Sequence, residues 1–394
     1  ISNTTVPYNT PSTEPNRPNN KTGYHFDHWE KNNDPSHTPY VFGTPITGNE
    51  TIHAVYAPNS YTVRYNKDAA DASGTVADSQ HTYDVARNLN NNAFTRPGYE
   101  FAGWSRTQGS TTVDFADQAS VVNLSATDGA VVDLYAVWTA ATPIAANVTI
   151  QKTLTGDITT TPGGLASPIT PETFRFELKA ISTTAPGVTA LPMPAAAAGA
   201  QTAVLTLSSN DLTAGVGTVS SGNLTFTMPG EYVYELKELS GSSTGFTYDQ
   251  TVYSLKYTVT QSGTTLSVSA ESKSGSGAYQ PFNGTAGFSN DYQLPRYRVS
   301  YDSNLGSATP PTENNIKYGH FATQPGNAAG TSSPAGDRVG FHFKHWIDTQ
   351  TGQIFNFGDP ITRDVNLQAV WERNGYTVTV NDGPDATTPN QNIS

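Results

Sequence analysis

The strongest constraint on this chain is that one short pattern occurs three times. Each copy opens with a glycine and an aromatic residue and places a phenylalanine three residues before a tryptophan, at residues 23–29, 98–104 and 340–346. Each copy then passes through a Phe-containing turn and closes with an alternating strand. Repetition on this scale indicates an array of small modules, and such arrays usually span distance or present surface.

Composition narrows the classes of partner. A chain of 394 residues is too long for one core, so we expect several domains. Its 33 Asp and Glu outnumber its 21 Lys and Arg, which argues against nucleic acid or an anionic membrane as the main partner. Cysteine is absent, so stability must come from something other than disulfides. No apolar run predicts membrane insertion and no signal peptide begins the chain, so we expect a mature piece of a longer protein.

The repeats divide the chain into five segments. Whole copies occupy 60–139 and 296–373. The segment 143–293 lacks the repeat, and its predicted strands clearly alternate apolar and polar residues. The head segment, 1–57, has the middle and end of a repeat without an opening strand. The tail segment, 376–394, supplies only an opening strand. The linkers between these segments are short and marked by proline, which favours a semi-rigid rod.

The head and tail segments complete each other. Joining 376–394 to 1–57 produces a whole repeat, and the dipeptide Ile-Ser occurs at both 1–2 and 393–394. We therefore expect the tail of one copy to complete the head of the next, in head-to-tail order. The join is either covalent, within a longer tandem polypeptide, or formed between subunits by strand complementation.

The recurring aromatic residues are predicted to be core. Trp29, Trp104 and Trp346 recur at one register, and each would bury about 150–250 Å² against the sheet. A sugar-binding aromatic platform is the alternative, which nothing in the spacing demands. His pairs lie beside the Trp in two copies but not in the second, so we expect no metal site.

This pattern resembles the Listeria–Bacteroides repeat, or internalin B-repeat, over 1–57, 60–139 and 296–373. The resemblance implies a small β-grasp-like module that serves as a spacer or contact unit in Gram-positive surface proteins.

The middle segment carries three polar interruptions of apolar strand faces. Lys152 shares a face with Val148, Ile150 and Leu154 by strict alternation. Asn290 lies between Phe288 and Tyr292, and Glu238 follows Tyr232, Tyr234 and Leu236 on one face. A lysine on a core face is costly unless it is paired or neutral.

These three residue types suffice for an intramolecular amide bond. Burial lowers the pKa of a lysine, so a neutral amine can attack the Asn amide. Burial raises the pKa of a glutamate, which can then polarise the amide carbonyl and shuttle the proton. The alternative is that all three are rim residues of ordinary strands.

The ordered set of the early Lys, the Tyr-x-Tyr-x-Leu-x-Glu strand, the Gly-Phe-Thr-Tyr-Asp segment at 245–249 and the terminal Phe-x-Asn-x-Tyr resembles the isopeptide-forming pilin domains of Gram-positive bacteria. The resemblance implies an Ig-like sandwich over 143–293. It makes Lys152 the nucleophile, Asn290 the electrophile and Glu238 the catalytic acid/base.

Together these features predict a mostly β, multidomain protein of β-grasp-like repeats around one Ig-like sandwich. We expect a stalk or fibre segment of a Gram-positive cell-surface adhesin, stabilised by a Lys–Asn isopeptide bond and without a cofactor or an activity on external substrates. The partners would be neighbouring copies joined head-to-tail and a host-surface ligand. The alternative is a module that binds a host glycan or protein.

Overall fold

A computed structural model describes residues 3–158 and 172–380, together with the backbone of 391–393. The described chain is almost entirely strand, with two 3-10 helices at Ala195–Ala197 and Ser209–Asp211. The predicted mostly β, multidomain fold is therefore confirmed. Among these residues, no helix is long and apolar enough to span a bilayer.

The strands are numbered along the chain. The head contains β1 (Tyr24–Lys31) and β2 (Ile52–Pro58). The second repeat contains β3 (Ser60–Asn66), β4 (Ser79–Thr82), β5 (Arg87–Asn88), β6 (Tyr99–Ser105), β7 (Ser120–Val121) and β8 (Ala130–Ala140). The middle segment contains β9 (Ile144–Ala146), β10 (Thr149–Gly156), β11 (Thr173–Thr183), β12 (Thr202–Ser208), β13 (Val216–Ser220), β14 (Leu224–Phe226), β15 (Gly230–Leu239), β16 (Phe246–Thr247), β17 (Val252–Ser262), β18 (Thr265–Ser274), β19 (Gln280–Pro281) and β20 (Thr285–Tyr292). The third repeat contains β21 (Arg296–Asp302), β22 (Glu313–Lys317), β23 (Phe341–Asp348) and β24 (Val365–Arg373), and the tail contains β25 (Val378–Val380) and β26 (Gln391–Ile393).

The two whole repeats share one sheet topology. Their strand orders are β4-β3-β8-β6 and β22-β21-β24-β23, so the first strand of each lies beside the last. That central pair is parallel and the outer pairs are antiparallel. No α-helix lies in either repeat, both of which are fully described, so the β-grasp-like label remains a prediction.

A β-bulge explains the recurring Phe-x-x-Trp spacing. Residues three apart point to opposite faces of a regular strand, which would send one of the two aromatic side chains into solvent. In each repeat the register shifts once between the Phe and the Trp, and the extra residue returns both side chains to the core. The Phe and Trp rings then pack at centroid distances of 5.4, 4.9 and 5.4 Å in chain order.

The three tryptophans occupy equivalent buried positions. Trp29, Trp104 and Trp346 each face an alanine of the closing strand, and all three are buried. In the second repeat the Trp104 ring packs on Tyr65 and Phe94 at the centre of an apolar cluster. Because the rings are buried, they cannot form a surface platform that binds sugars.

The middle segment is the predicted β-sandwich. A four-stranded sheet, β13-β10-β20-β16, faces a six-stranded sheet, β12-β11-β15-β17-β18-β19. Aromatic residues interlock between the sheets, as in the contact of Phe176 on β11 with Phe288 on β20, whose centroids are 5.3 Å apart. Strands β10 and β20 are parallel neighbours, so the chain enters and leaves the sandwich through adjacent strands.

The tail differs from expectation in one respect. Strand β25 pairs antiparallel with β26, where the sequence indicated a lone strand. Side chains of the tail are nevertheless uncovered: Tyr376 is 71% exposed, whereas Tyr61, at the same place in the second repeat, is 1% exposed. Residues 381–390 of the predicted seam, and the side chains of both Ile-Ser dipeptides, lie outside the described residues.

Because Trp104 fills the centre of its module, Trp104→Ala should cost about 3–5 kcal/mol of unfolding free energy. Modules of an array unfold largely independently, so calorimetry should show one transition lowered or lost and the others unmoved. Val131→Ala, at a half-exposed position of the same module, is the control and should change little. Retention of the full melting profile by Trp104→Ala would contradict the core assignment.

Candidate functional site

Three strands bring the candidate residues together inside the sandwich. Lys152 lies on β10 and Asn290 on the adjacent parallel strand β20, offset by two residues, because Lys152 is opposite Phe288 in the ladder. Glu238 comes from β15 in the facing sheet. Alternation aims each side chain inward, since the apolar residues that share its strand face are buried.

The site is closed to solvent. The side chains of Lys152 and Glu238 are both fully buried, and Asn290 is fully buried as well. The Lys152 ammonium nitrogen lies 5.0 Å from the centroid of the Phe174 ring. An ionised lysine in such surroundings is costly unless a partner compensates it.

Glu238 contacts both of the other residues at once. Lys152 Nζ donates to Glu238 Oε2 at 2.7 Å. Asn290 Nδ2 donates to the other oxygen, Oε1, at 2.8 Å. One carboxyl group therefore bridges the amine and the amide, which brings together all three residues that the sequence singled out.

A fourth group, missed by sequence reasoning, completes the site. The backbone N–H of Asp249 donates to Asn290 Oδ1 at 2.8 Å. This bond fixes the amide orientation, because a flipped Asn would place its NH₂ against another donor. The expectation that Glu238 polarises the amide carbonyl is thus wrong in detail: Glu238 contacts the amide nitrogen, and the Asp249 N–H contacts the carbonyl oxygen.

The Asp249 carboxylate holds this backbone donor in place. Its oxygens accept from the backbone N–H of Thr251 at 2.8 Å and of Ser289 at 2.7 Å. Ser289 precedes Asn290 on β20, so the loop that carries Asp249 is tied to the strand that carries the amide. The Gly-Phe-Thr-Tyr-Asp segment was the signal in the sequence: it contains Asp249, but it did not indicate that the Asp249 backbone N–H binds the amide.

Burial shifts the proton affinity of both ionisable groups in the direction that amide formation needs. Desolvation lowers the pKa of Lys152, against the opposing effect of Glu238. Desolvation likewise raises the pKa of Glu238, against the opposing effect of Lys152. Both shifts favour transfer of one proton from the lysine to the glutamate, which leaves a neutral amine beside a neutral carboxylic acid.

Other lysines of the sandwich lack this environment. Lys237 pairs with Glu177 at 3.1 Å and Lys256 with Glu271 at 2.6 Å, in solvent-accessible ion pairs. Within the described ranges, no group of three His, Cys, Asp or Glu side chains is arranged to hold a metal ion. The Lys152 site is therefore the place in the described sandwich where an amine, an amide and a carboxyl group meet away from water.

Comparison with known protein families agrees with the division of the chain into repeats and a middle domain. The model of the Spy0128-like isopeptide containing domain matches residues 148–293. The model of the Listeria-Bacteroides repeat domain matches residues 1–55, 61–137 and 297–370, more than half of the chain. No curated protein sequence matches.

Solved structures show weaker likenesses. The major pilin of Streptococcus pyogenes is 14% identical with a TM-score of 0.31, over 58% of this chain and 98% of that chain. The T-13 major pilin of the same species is 12% identical with a TM-score of 0.29, over 59% and 98%. A leucine-rich repeat protein from Bacteroides thetaiotaomicron is 12% identical with a TM-score of 0.12, over 60% and 26%. At these TM-scores the likenesses carry no function across.

The family models therefore decide the assignment, one through the repeats and the other through the domain that contains the buried lysine. The protein belongs to the Listeria–Bacteroides repeat family, and its repeats flank a domain that matches the Spy0128-like isopeptide domain model.

Proposed function

We propose that this chain is a structural segment of a cell-surface fibre or adhesin stalk, divided into the modules 1–57, 60–139, 143–293, 296–373 and 376–394. The observation that carries the proposal is the buried contact of Lys152 and Asn290 with one Glu238 carboxyl group. An isopeptide bond at this point stiffens a stalk, and none of the chemistry is directed at an external substrate or needs a cofactor. The chain acts as a mechanical element on a Gram-positive surface.

The bond forms by attack of the neutral Lys152 amine on the Asn290 side-chain carbon. The Asp249 N–H stabilises the charge that develops on the carbonyl oxygen. Glu238, which lies on the amine and on the amide nitrogen, takes a proton from the amine and delivers one to the departing nitrogen. One C–N bond forms, one C–N bond breaks, and ammonia leaves. The fold supplies the remaining rate advantage because it holds the groups in contact.

The product leaves neither Lys152 nor Glu238 charged and closes a long loop. The Lys152 amine becomes part of a neutral amide, and Glu238 stays buried as the neutral acid, so neither residue bears the cost of a buried ion. Closing the loop from 152 to 290 stabilises the domain by about 5 kcal/mol on the chain-entropy model of cross-links.

Loss of ammonia should leave the intact protein about 17 Da lighter than its sequence mass, since amide formation by the amine nucleophile expels one NH₃. Glu238→Ala should have the full mass calculated from its own sequence, because no ammonia is lost, and should melt at a lower temperature. The matched control is Glu235→Ala, on the same strand but facing out, which should keep the lighter mass. A wild-type mass equal to the sequence mass would sink the proposal.

We also propose that the tail strand of one copy completes the head sheet of the next. In both whole repeats the first strand pairs in parallel with the closing strand. Among the described residues, the closing strand β2 of the head is paired on one edge only, with β1. Aligning the three Trp–Ala pairs places Val380 opposite Ile52, the first residue of β2, and Val378 opposite Glu50, two residues before that strand. This arrangement covers apolar side chains of β25 that are otherwise exposed.

Substitution on the inward face of the tail strand tests this completion. Val378 matches Val63 and Val299, both of which are buried, so Val378→Asp should place a charge in the completed core and abolish head-to-tail association. Thr377→Asp, the neighbour on the other face, should associate normally. Light scattering over a concentration series measures both. Normal association of Val378→Asp would contradict strand completion.

A further inference from the structure

Consecutive modules meet at the glycine that opens the Gly-aromatic turn. At the first junction the ring of Tyr83 lies directly on Gly23, where a Cβ would come within 2.2 Å of the ring. At the second junction Met228 covers Gly98, where a Cβ would lie 2.4 Å from its sulfur. Both glycines have positive φ, at 79° and 75°. Close approach and backbone conformation therefore both require glycine at these two turns.

The third glycine turn has the same conformation and is open. Gly340 has φ of 79°, and apart from its two chain neighbours no described residue has an atom within 4 Å of the position that its Cβ would take. The preceding residue, Val339, is 99% exposed. The turn borders a shallow cleft that includes Phe341 and Asn374.

The linker beyond this turn already has the geometry of the first junction. Asn59 donates its backbone N–H to the Gly23 carbonyl at 2.8 Å, and its side-chain oxygen contacts His25 Nδ1 at 2.9 Å. Asn374 repeats both contacts, with the Gly340 carbonyl at 2.9 Å and with a histidine Nδ1 at 3.0 Å. The sequences that follow, Asn-Ser-Tyr-Thr-Val and Asn-Gly-Tyr-Thr-Val, correspond residue by residue.

The segment that would cover this turn is found in the head. In the third repeat, Gly319 and His320 make reciprocal backbone bonds with Ile361, both of 2.8 Å. In the head, Asn9 and Thr10 make the same bonds with Ile46, at 2.8 and 3.0 Å. The head residue before this pair is Tyr8, which therefore holds the place of Tyr318 in the third repeat.

Tyr8 also corresponds to Tyr83, the residue that covers Gly23. Both tyrosines precede a residue with positive φ, Asp84 at 59° and Asn9 at 64°. Tyr83 N–H donates to the carbonyl of Asn59 at 2.8 Å, as the N–H of Tyr318 does to the residue before its own first strand. Tyr8 itself is 80% exposed.

We propose that the Gly340 turn is a socket for Tyr8 of a second copy of this chain, which fixes the angle between copies. The inference rests on the head-to-tail order proposed above and names its contact. The Tyr8 ring covers Gly340 and packs edge-on against Phe341, as Tyr83 packs against Tyr24 with centroids 5.7 Å apart.

The contact between Tyr24 and Asp84 at the first junction is replaced consistently. Tyr24 donates its hydroxyl to the Asp84 carboxylate at 2.8 Å. Phe341 lacks that hydroxyl, and Asn9 stands where the first junction has the carboxylate. Donor and acceptor are thus both absent from the proposed contact, so it leaves no carboxylate buried without a partner.

Photocrosslinking of the full chain tests the contact directly. Benzoylphenylalanine replaces Val339, and equal amounts of ¹⁴N- and ¹⁵N-labelled copies are mixed and irradiated. The expected product joins a heavy and a light copy through the peptide that contains Tyr8. Crosslinks within one copy, or to other segments of the second copy, overturn the proposal.

Two pairs of variants separate the contact from general effects on folding. Gly340→Ala should weaken association by about tenfold, equivalent to about 1.4 kcal/mol, because its methyl group meets the incoming ring. Gly352→Ala is the control: the φ of Gly352 is 69°, no described atom beyond its chain neighbours lies within 4 Å of its Cβ position, and it lies in a turn away from the socket. Tyr8→Ala should match the loss, whereas Tyr8→Phe should associate normally.

The outcomes distinguish this contact from the assembly itself. If Tyr8→Ala and Gly340→Ala associate like the wild type while Val378→Asp does not, the socket is wrong and strand completion stands. If the wild type does not associate at any concentration, both are wrong. Neither result affects the mass test of the Lys152–Asn290 bond.

Discussion

The buried contact of Lys152 with Glu238 is the interaction on which the middle domain depends. Two ionisable groups in an apolar sandwich each cost several kcal/mol if they stay charged. Desolvation lowers the pKa of Lys152 and raises the pKa of Glu238, so both shifts favour a neutral amine and a neutral acid. Before any bond forms, the neutral pair is therefore both the least costly protonation state and the one in which the amine can react. In the proposed reaction, amide formation with Asn290 turns the Lys152 amine into a neutral link, and Glu238 remains beside it as the neutral acid.

The position of the proposed link would suit a stalk. Strands β10 and β20 are parallel neighbours, so tension enters at the start of one and leaves at the end of the other. Without a link, that tension shears the ladder between the two strands and then unravels the sandwich. A Lys152–Asn290 bond would take the tension within a few residues of its entry into β10 and pass it to β20, so the strands of the two facing sheets between these residues would be shielded. The junction with the third repeat is tied beside the exit strand by the ion pair of Asp157 with Lys317, at 2.7 Å.

The sequence was informative where alternation places one polar residue among apolar ones. Lys152, Glu238 and Asn290 were visible because each breaks a strand face that is otherwise buried. The Asp249 contribution was not visible, because its donor is a backbone N–H that every residue but proline has. The Phe-x-x-Trp spacing was recognised as a repeat, but its cause, a β-bulge, needed the pairing register. The recurring glycine was visible in the sequence, but only the structure shows that a neighbouring module covers it at Gly23 and at Gly98.

Single-molecule stretching of the full chain tests the central claim most directly, that the cross-link carries load past the middle domain. At about 3.4 Å per residue, unravelling the loop between Lys152 and Asn290 would add on the order of 450 Å of contour length. The account predicts that wild-type traces lack this step while the repeats still unfold, and that Glu238→Ala traces contain it. A wild-type trace with the full step would contradict the account.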